Sequence, residues 1–116
     1  MPYGLDWCVP LECITKDELL ERIEKNSSFI LVDTIGKFDG NRYKIKGATT
    51  IPYPEVVDRR RELLEYDEII IYCTRKRCTA SKKVAGALNM LNVPCVKVYE
   101  GGIEEWVEYN LPVEEV

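Results

Sequence analysis

The stretch Glu68-Ile69-Ile70-Ile71-Tyr72-Cys73-Thr74-Arg75-Lys76-Arg77-Cys78-Thr79 decides how this chain is read. Its first half is a continuous apolar run, short and β-branched, which predicts a strand buried on both faces of a parallel sheet. Cys73 stands just past the end of that strand. Three basic residues follow, and a helix is expected from Thr79 to Leu91, where Val84, Ala87, Leu88 and Leu91 sit at i, i+3, i+4 and i+7. Gly86 inside that helix is unfavourable by about 1 kcal/mol relative to alanine and predicts close approach to a neighbouring element.

The same alternation extends in both directions. Upstream, Thr15-Lys16-Asp17-Glu18 is a capping box that opens a helix with Leu19, Leu20 and Ile23 on its apolar face, ending near Asn26. Phe29-Ile30-Leu31-Val32, closed by Asp33, is a second buried strand. The glycines and scattered charges from Thr34 to Lys46 predict a long loop. Ala48 to Ile51 is a short strand, and Pro54 suits the first turn of a helix running to about Glu65. Downstream, Val96-Lys97-Val98-Tyr99 is another strand, and Gly101-Gly102 turns the chain into a last helix carrying Trp106. With a first strand at Cys13-Ile14, the reading is α/β: a central, mostly parallel five-stranded sheet with helices on both faces. No repeat or linker divides residues 1–116, so one domain is expected.

Composition excludes several chemistries. The 116 residues contain five cysteines and no histidine. Ser-His-Asp and Cys-His catalysis, zincin sites and His-ligated metals are therefore ruled out. An odd cysteine count forbids complete intramolecular pairing. Twenty acidic against sixteen basic residues give a net charge of −4, the reverse of the usual nucleic-acid binder. No Lys or Arg occurs in the first fifteen residues, so a secretory n-region is missing. The longest uncharged stretch, Val84 to Val96, is too short and polar to span a bilayer. The expected setting is the reducing cytoplasm, with no membrane and no nucleic-acid partner. No metal and no cofactor is expected; Cys73 and Cys78 lack a second pair to complete a zinc site.

In open parallel sheets ligands bind beyond the carboxyl ends of the strands, where Cys73 to Thr79 lie. A helix start there offers unpaired N–H groups and partial positive charge, and Arg75, Lys76 and Arg77 add three formal charges. Both effects favour the Cys73 thiolate, a nucleophile. The competing reading is a buried strand-end cysteine beside a solvated basic turn. Cys-dependent phosphatases need an arginine six positions after the cysteine, to grip the oxyanion bidentately. From Cys73 that position is Thr79, and from Cys78 it is Val84. Spacing thus disfavours a phosphatase.

Over about residues 14–113 the chain resembles a single rhodanese-like domain. Ile14-Thr15-x-x-Glu18-Leu19 resembles the family's opening, and Phe29 to Asp33 its second strand. Lys44-Ile45-Lys46-Gly47-Ala48 with Ile51-Pro52 resembles the stretch usually written H-I-P-G-A with a later I-P. Ile70-Ile71-Tyr72-Cys73 matches the strand leading to the family's catalytic cysteine. Gly101-Gly102-Ile103-Glu104-Glu105-Trp106 and Leu111-Pro112-Val113 match its C-terminal signature.

The resemblance implies a sulfurtransferase in which Cys73 becomes a persulfide. The implied partners are a small anionic sulfur donor such as thiosulfate and a thiol, cyanide or protein acceptor. Backbone N–H groups of Thr74, Arg75, Lys76, Arg77, Cys78 and Thr79 would bind the substrate. The chain departs from the family pattern at Lys76, often glycine, and Cys78, often arginine. Ile35 stands where an arginine is often found, and Lys44 where histidine is. Cys78 reads either as a resolving thiol or as a small residue packed at a helix start. Two alternatives stay open: a non-catalytic rhodanese-like protein-binding module, and a Cys73/Cys78 thiol-disulfide redox protein. Cys13 and Cys95 are expected in the core, and Cys8 near the surface. Arg59-Arg60-Arg61, mixed with Glu55, Asp58 and Glu62, reads as a solvated helix face. Trp106 is expected to pack its helix on the sheet, and Asp33 to orient the loop or cap a turn.

Overall fold

Five parallel strands form the sheet, and the two apolar runs of the sequence lie at its centre. A computed structural model describes residues 12–25, 28–35, 42–73 and 80–115. In chain order the elements are β1 (Glu12–Ile14), α1 (Lys16–Glu24), β2 (Phe29–Asp33), β3 (Tyr43–Ile45), β4 (Thr49–Thr50), α2 (Tyr53–Val56), α3 (Arg60–Leu63), β5 (Glu68–Tyr72), α4 (Ala80–Met90), β6 (Val96–Tyr99), α5 (Gly102–Glu108) and β7 (Val113–Glu115). The main sheet runs β1-β6-β5-β2-β4 with every pairing parallel.

Side chains alternate across this sheet with period two, and both faces are covered. Ile70, Tyr72, Leu31 and Tyr99 point into one core with Leu19 of α1 and Ile103 and Trp106 of α5. Ile69, Ile71, Ile30, Val32 and Val98 point into the other, against Val56 of α2, Leu63 of α3 and Val84, Ala85 and Leu88 of α4. Each isoleucine so buried stabilises the fold by about 1.5–3 kcal/mol of transfer free energy.

The capping box forms as predicted. Thr15 Oγ1 accepts from the Glu18 amide at 3.1 Å, and the Thr15 amide donates to Glu18 Oε1 at 3.0 Å. Both α4 and α5 end in a Schellman motif. After α4, Val93 N donates to Leu88 O and Asn92 N to Asn89 O, with Asn92 at φ 64°. After α5, Leu111 N donates to Trp106 O and Asn110 N to Val107 O, with Asn110 at φ 55°.

Several expectations are corrected. The segment from Thr34 to Lys46 is not all loop, because Tyr43–Ile45 forms β3 and pairs antiparallel with β7, Lys44 opposite Glu114. The helix expected from Pro54 to Glu65 is broken into α2 and α3. Arg59 at φ −99°, ψ 15° leaves helical geometry, and its side chain bonds Glu62 instead. Leu91 and Ile23 are exposed. In α4 the Schellman turn sends Val93, not Leu91, back into the core. Gly86 meets no close neighbour: a Cβ built there finds nothing within 4 Å. Cys13 and Cys95 are both exposed. Period two on the edge strand β1 turns Ile14 inward and Cys13 outward. Cys95 sits at φ 56° in the turn before β6, where its carbonyl accepts from Ile69.

Candidate active site

The chain reaches the candidate nucleophile through the central strand. Tyr72, the last residue of β5, is fully buried, and Cys73 is 6% exposed in the same core. β2 and β6 flank β5, so the ends of three strands converge here. From β2, the Thr34 amide and hydroxyl both donate to the Tyr72 carbonyl, at 3.3 and 2.8 Å. From the first turn of α5, Ile103 N donates to the Cys73 carbonyl at 3.1 Å. Gly102, at φ 65°, makes that turn with backbone geometry suited to glycine.

Asp33 is fully buried below this junction. Its carboxylate accepts from Ile35 N at 2.9 Å, an Asx-type cap that fixes the turn carrying Thr34. Asp33 thus caps a turn, and the loop it was alternatively expected to orient lies outside the described residues. Tyr72 Oη accepts from Ile45 N at 3.0 Å and ties β3 to the sheet. Burial first, and the Asp33 charge second, push the Tyr72 phenol far above its ordinary pKa, so it stays neutral.

Cys73 is disulfide-bonded. Cys13 and Cys95 remain thiols, so the bonding partner is not among the described residues. Thr74, Arg75, Lys76, Arg77, Cys78 and Thr79, the proposed anion-binding loop, lie outside the described residues, as does Cys8. The described chain continues after them with α4 at Ala80, and Ser81 is buried.

A cavity of about 620 Å³ opens at the carboxyl ends of β1 and β6. Among the described residues, Asp17, Glu100, Glu104, Glu105 and Glu108 line it together with Lys16. Such a lining is unfavourable to an anionic donor, although Lys16 pairs with Asp17 and Lys82 with Glu100. Cys13 also lines it. Burial, then the hydrogen bond and charge of Glu100, raise its pKa and keep it protonated. Cys13 is therefore a poor nucleophile. Among the described residues no group of three Cys, Asp or Glu side chains is placed to hold a metal ion. No helix of the described residues is long and apolar enough to cross a membrane.

Sequence reasoning anticipated Cys73 at the end of this strand and an acidic residue closing β2, but not the contacts of Thr34 and the Ile103 amide with the backbone around Cys73. Thr34 follows a buried strand like any loop residue, and a backbone donor from another element leaves no local signal. Trp106 packs as expected: it is 1% exposed, edge-on to Tyr99 at 6.1 Å, with Nε1 donating to Pro112 O.

Comparison with known proteins places this arrangement. An HTH-type transcriptional regulator of Mycobacterium tuberculosis is 32% identical over 106 residues, which is 91% of this chain and 46% of the regulator. The chain thus spans less than half the length of that curated relative. Two solved structures share the fold. A rhodanese-related protein from Thermoplasma volcanium superposes with TM-score 0.71 at 23% identity, covering 89% of this chain and 97% of that one. Thiosulfate sulfurtransferase from Pseudomonas aeruginosa gives TM-score 0.69 at 19% identity, covering 90% of this chain and 20% of the enzyme. The family model for the rhodanese-like domain matches residues 15–109, nearly the whole chain. On that match, and on a five-stranded parallel sheet with Cys73 at the end of its central strand, the chain belongs to the rhodanese-like family.

Proposed function

We propose that the protein is a sulfurtransferase that moves sulfane sulfur through a persulfide on Cys73. The observation that carries this reading is the placement of Cys73, at the carboxyl end of the central strand and directly ahead of the basic run Arg75-Lys76-Arg77. Once reduced, the Cys73 thiolate attacks the outer sulfur of thiosulfate. A bond forms between the two sulfurs, the sulfur–sulfur bond of the donor breaks, and its electron pair leaves on sulfite. Charge balances: thiolate and dianionic donor give an anionic persulfide and dianionic sulfite. The acceptor, a thiol, cyanide or protein, then takes the outer sulfur and returns the thiolate.

Amides of residues 74 to 79 are suited to hold the anionic persulfide, and the three cations to steer the donor inward. Cys78 is the candidate resolving thiol: it attacks the persulfide, expels sulfide and closes a disulfide with Cys73.

The disulfide at Cys73 favours a second reading, a thiol-disulfide redox protein. The likeness to a transcriptional regulator favours a third, a module that binds or signals to an attached or partner protein. One mass measurement separates them. Reduced protein is incubated with thiosulfate beside Cys73→Ser and Cys78→Ser variants. Gain of one sulfur, lost only in Cys73→Ser, supports sulfur transfer. Loss of two hydrogens that requires both cysteines supports the redox protein. No modification and no cyanide-dependent turnover leaves the binding module.

A further inference from the structure

Two carbonyls bracket the Cα of Cys73, and both are tied down from outside β5. The Tyr72 carbonyl belongs to the peptide plane that carries the Cys73 amide, and Thr34 holds it. The Cys73 carbonyl belongs to the plane that follows, and Ile103 holds that one. Because peptide planes are rigid, fixing both orientations fixes φ and ψ of Cys73 and hence the direction of its Cα–Cβ bond. The base from which the sulfur projects is thereby set by β2 and α5.

Of the two donors from Thr34, the hydroxyl is the stronger. Its bond of 2.8 Å lies at the usual length, whereas the amide at 3.3 Å is stretched beyond it. Thr34 is itself held in place. It is 4% exposed, its carbonyl accepts from Tyr53 N at 3.2 Å, and the Asp33 carboxylate caps its turn. A buried hydroxyl needs a partner in any case. What singles this one out is its choice of the carbonyl immediately before the nucleophile.

We infer that Thr34 is a positioning residue for Cys73: its hydroxyl orients the Tyr72–Cys73 peptide and so aims the sulfur at the donor. The inference rests on Cys73 being the nucleophile, and the test keeps the two claims apart. Thr34→Ser retains the hydroxyl; Thr34→Val keeps the shape without it; Thr34→Ala pairs with Thr34→Ser as a second comparison of the hydroxyl alone. Each reduced variant is assayed well below its unfolding temperature, so that loss of stability by itself changes nothing. Two rates are measured: single-turnover persulfide formation with thiosulfate, and iodoacetamide alkylation of the Cys73 peptide across pH, resolved by mass from Cys13 and Cys95.

Thr34→Ser stays within about twofold of wild type in both rates. Thr34→Val and Thr34→Ala form persulfide roughly three- to tenfold more slowly at saturating thiosulfate, the size of one net hydrogen bond lost from the transition state. Half-saturation is unchanged, and the pH midpoint of alkylation departs from that of wild type as the thiol changes its surroundings. If Val and Ala variants match wild type, or if the Ser variant slows as much as the Ala variant, the inference is overturned. Should Thr34→Val fail to fold, the Ser and Ala pair decides. Wild-type protein that takes up no sulfur refutes the proposed function, and the alkylation series still decides whether Thr34 aims the thiol.

Discussion

Replacing Tyr72 by phenylalanine removes one oxygen atom from the residue before the candidate nucleophile. That oxygen accepts from Ile45 N at 3.0 Å, and Ile45 and Tyr72 are both fully buried. The ring still fills its site, so almost no cavity forms. What remains is a buried amide with no acceptor, worth about 1–3 kcal/mol of lost stability. For a chain of this length, 1 kcal/mol moves the melting temperature by roughly 3–5 °C, so a loss near 2 kcal/mol lowers it by about 6–10 °C. The matched control is Tyr99→Phe. Tyr99 Oη donates to Glu105 Oε1 at 2.7 Å, but Glu105 is only partly buried and recovers its hydrogen bond from water. That variant loses about 1 kcal/mol or less. Thermal unfolding of the three reduced proteins at pH 7, followed by circular dichroism, measures both shifts. Equal shifts for the two variants, or a Tyr72→Phe shift below about 2 °C, refute the reasoning that the stranded amide sets the cost.

Two further predictions concern stability. Gly86→Ala stabilises the protein by about 0.5–1 kcal/mol, because α4 gains a better helix former where a Cβ meets nothing; a raised urea midpoint at constant m-value checks it. Glu68 sits in a part-buried network, 2.9 Å from Arg22 Nε and 2.7 Å from Lys97 Nζ. Burial acts to raise its pKa, but the hydrogen bonds from Arg22 and Lys97 prevail and hold it below the ordinary carboxylate range. Its contribution is therefore full above the unfolded pKa of about 4.3 and is lost as pH falls through the lower folded value. Glu68→Gln costs about 1–2 kcal/mol at pH 7, and the gap to wild type closes as the pH drops below about 4. Urea titrations at pH 7 and pH 3 test this; a gap that stays constant contradicts it.

The sheet was legible because its central strands are defined by composition alone. Ile69-Ile70-Ile71-Tyr72 and Ile30-Leu31-Val32 are buried on both faces, and only a parallel sheet layered between helices offers that. The position of Cys73 at the end of β5 was legible for the same reason, since it directly follows that apolar run. What was missed depends on contacts between distant segments. β3 has one fully inward residue, Ile45, and becomes a strand only because β7, about seventy positions on, lies beside it. The end of α4 was placed within one residue, but following helical period put Leu91 on the buried stripe although it is exposed. Asn92 followed by Val93-Pro94 carries the stop signal, and Asn110-Leu111-Pro112 repeats it after α5. Cys13 was assigned to the core by its adjacency to Ile14, although neighbours in a strand face opposite ways. The Gly86 expectation failed because a glycine in a helix can face open space. Thr34 escaped notice because its partner is a backbone carbonyl on another strand.

The central claim is that Cys73 accepts sulfane sulfur. The most direct test mixes fully reduced protein with a stoichiometric amount of thiosulfate and follows two products together: sulfite in solution and persulfide on the Cys73 peptide. The account predicts one sulfite released for each Cys73 persulfide formed, with none of either in Cys73→Ser. Sulfite release that persists in Cys73→Ser, or a persulfide found on Cys13 or Cys95 in place of Cys73, would contradict it.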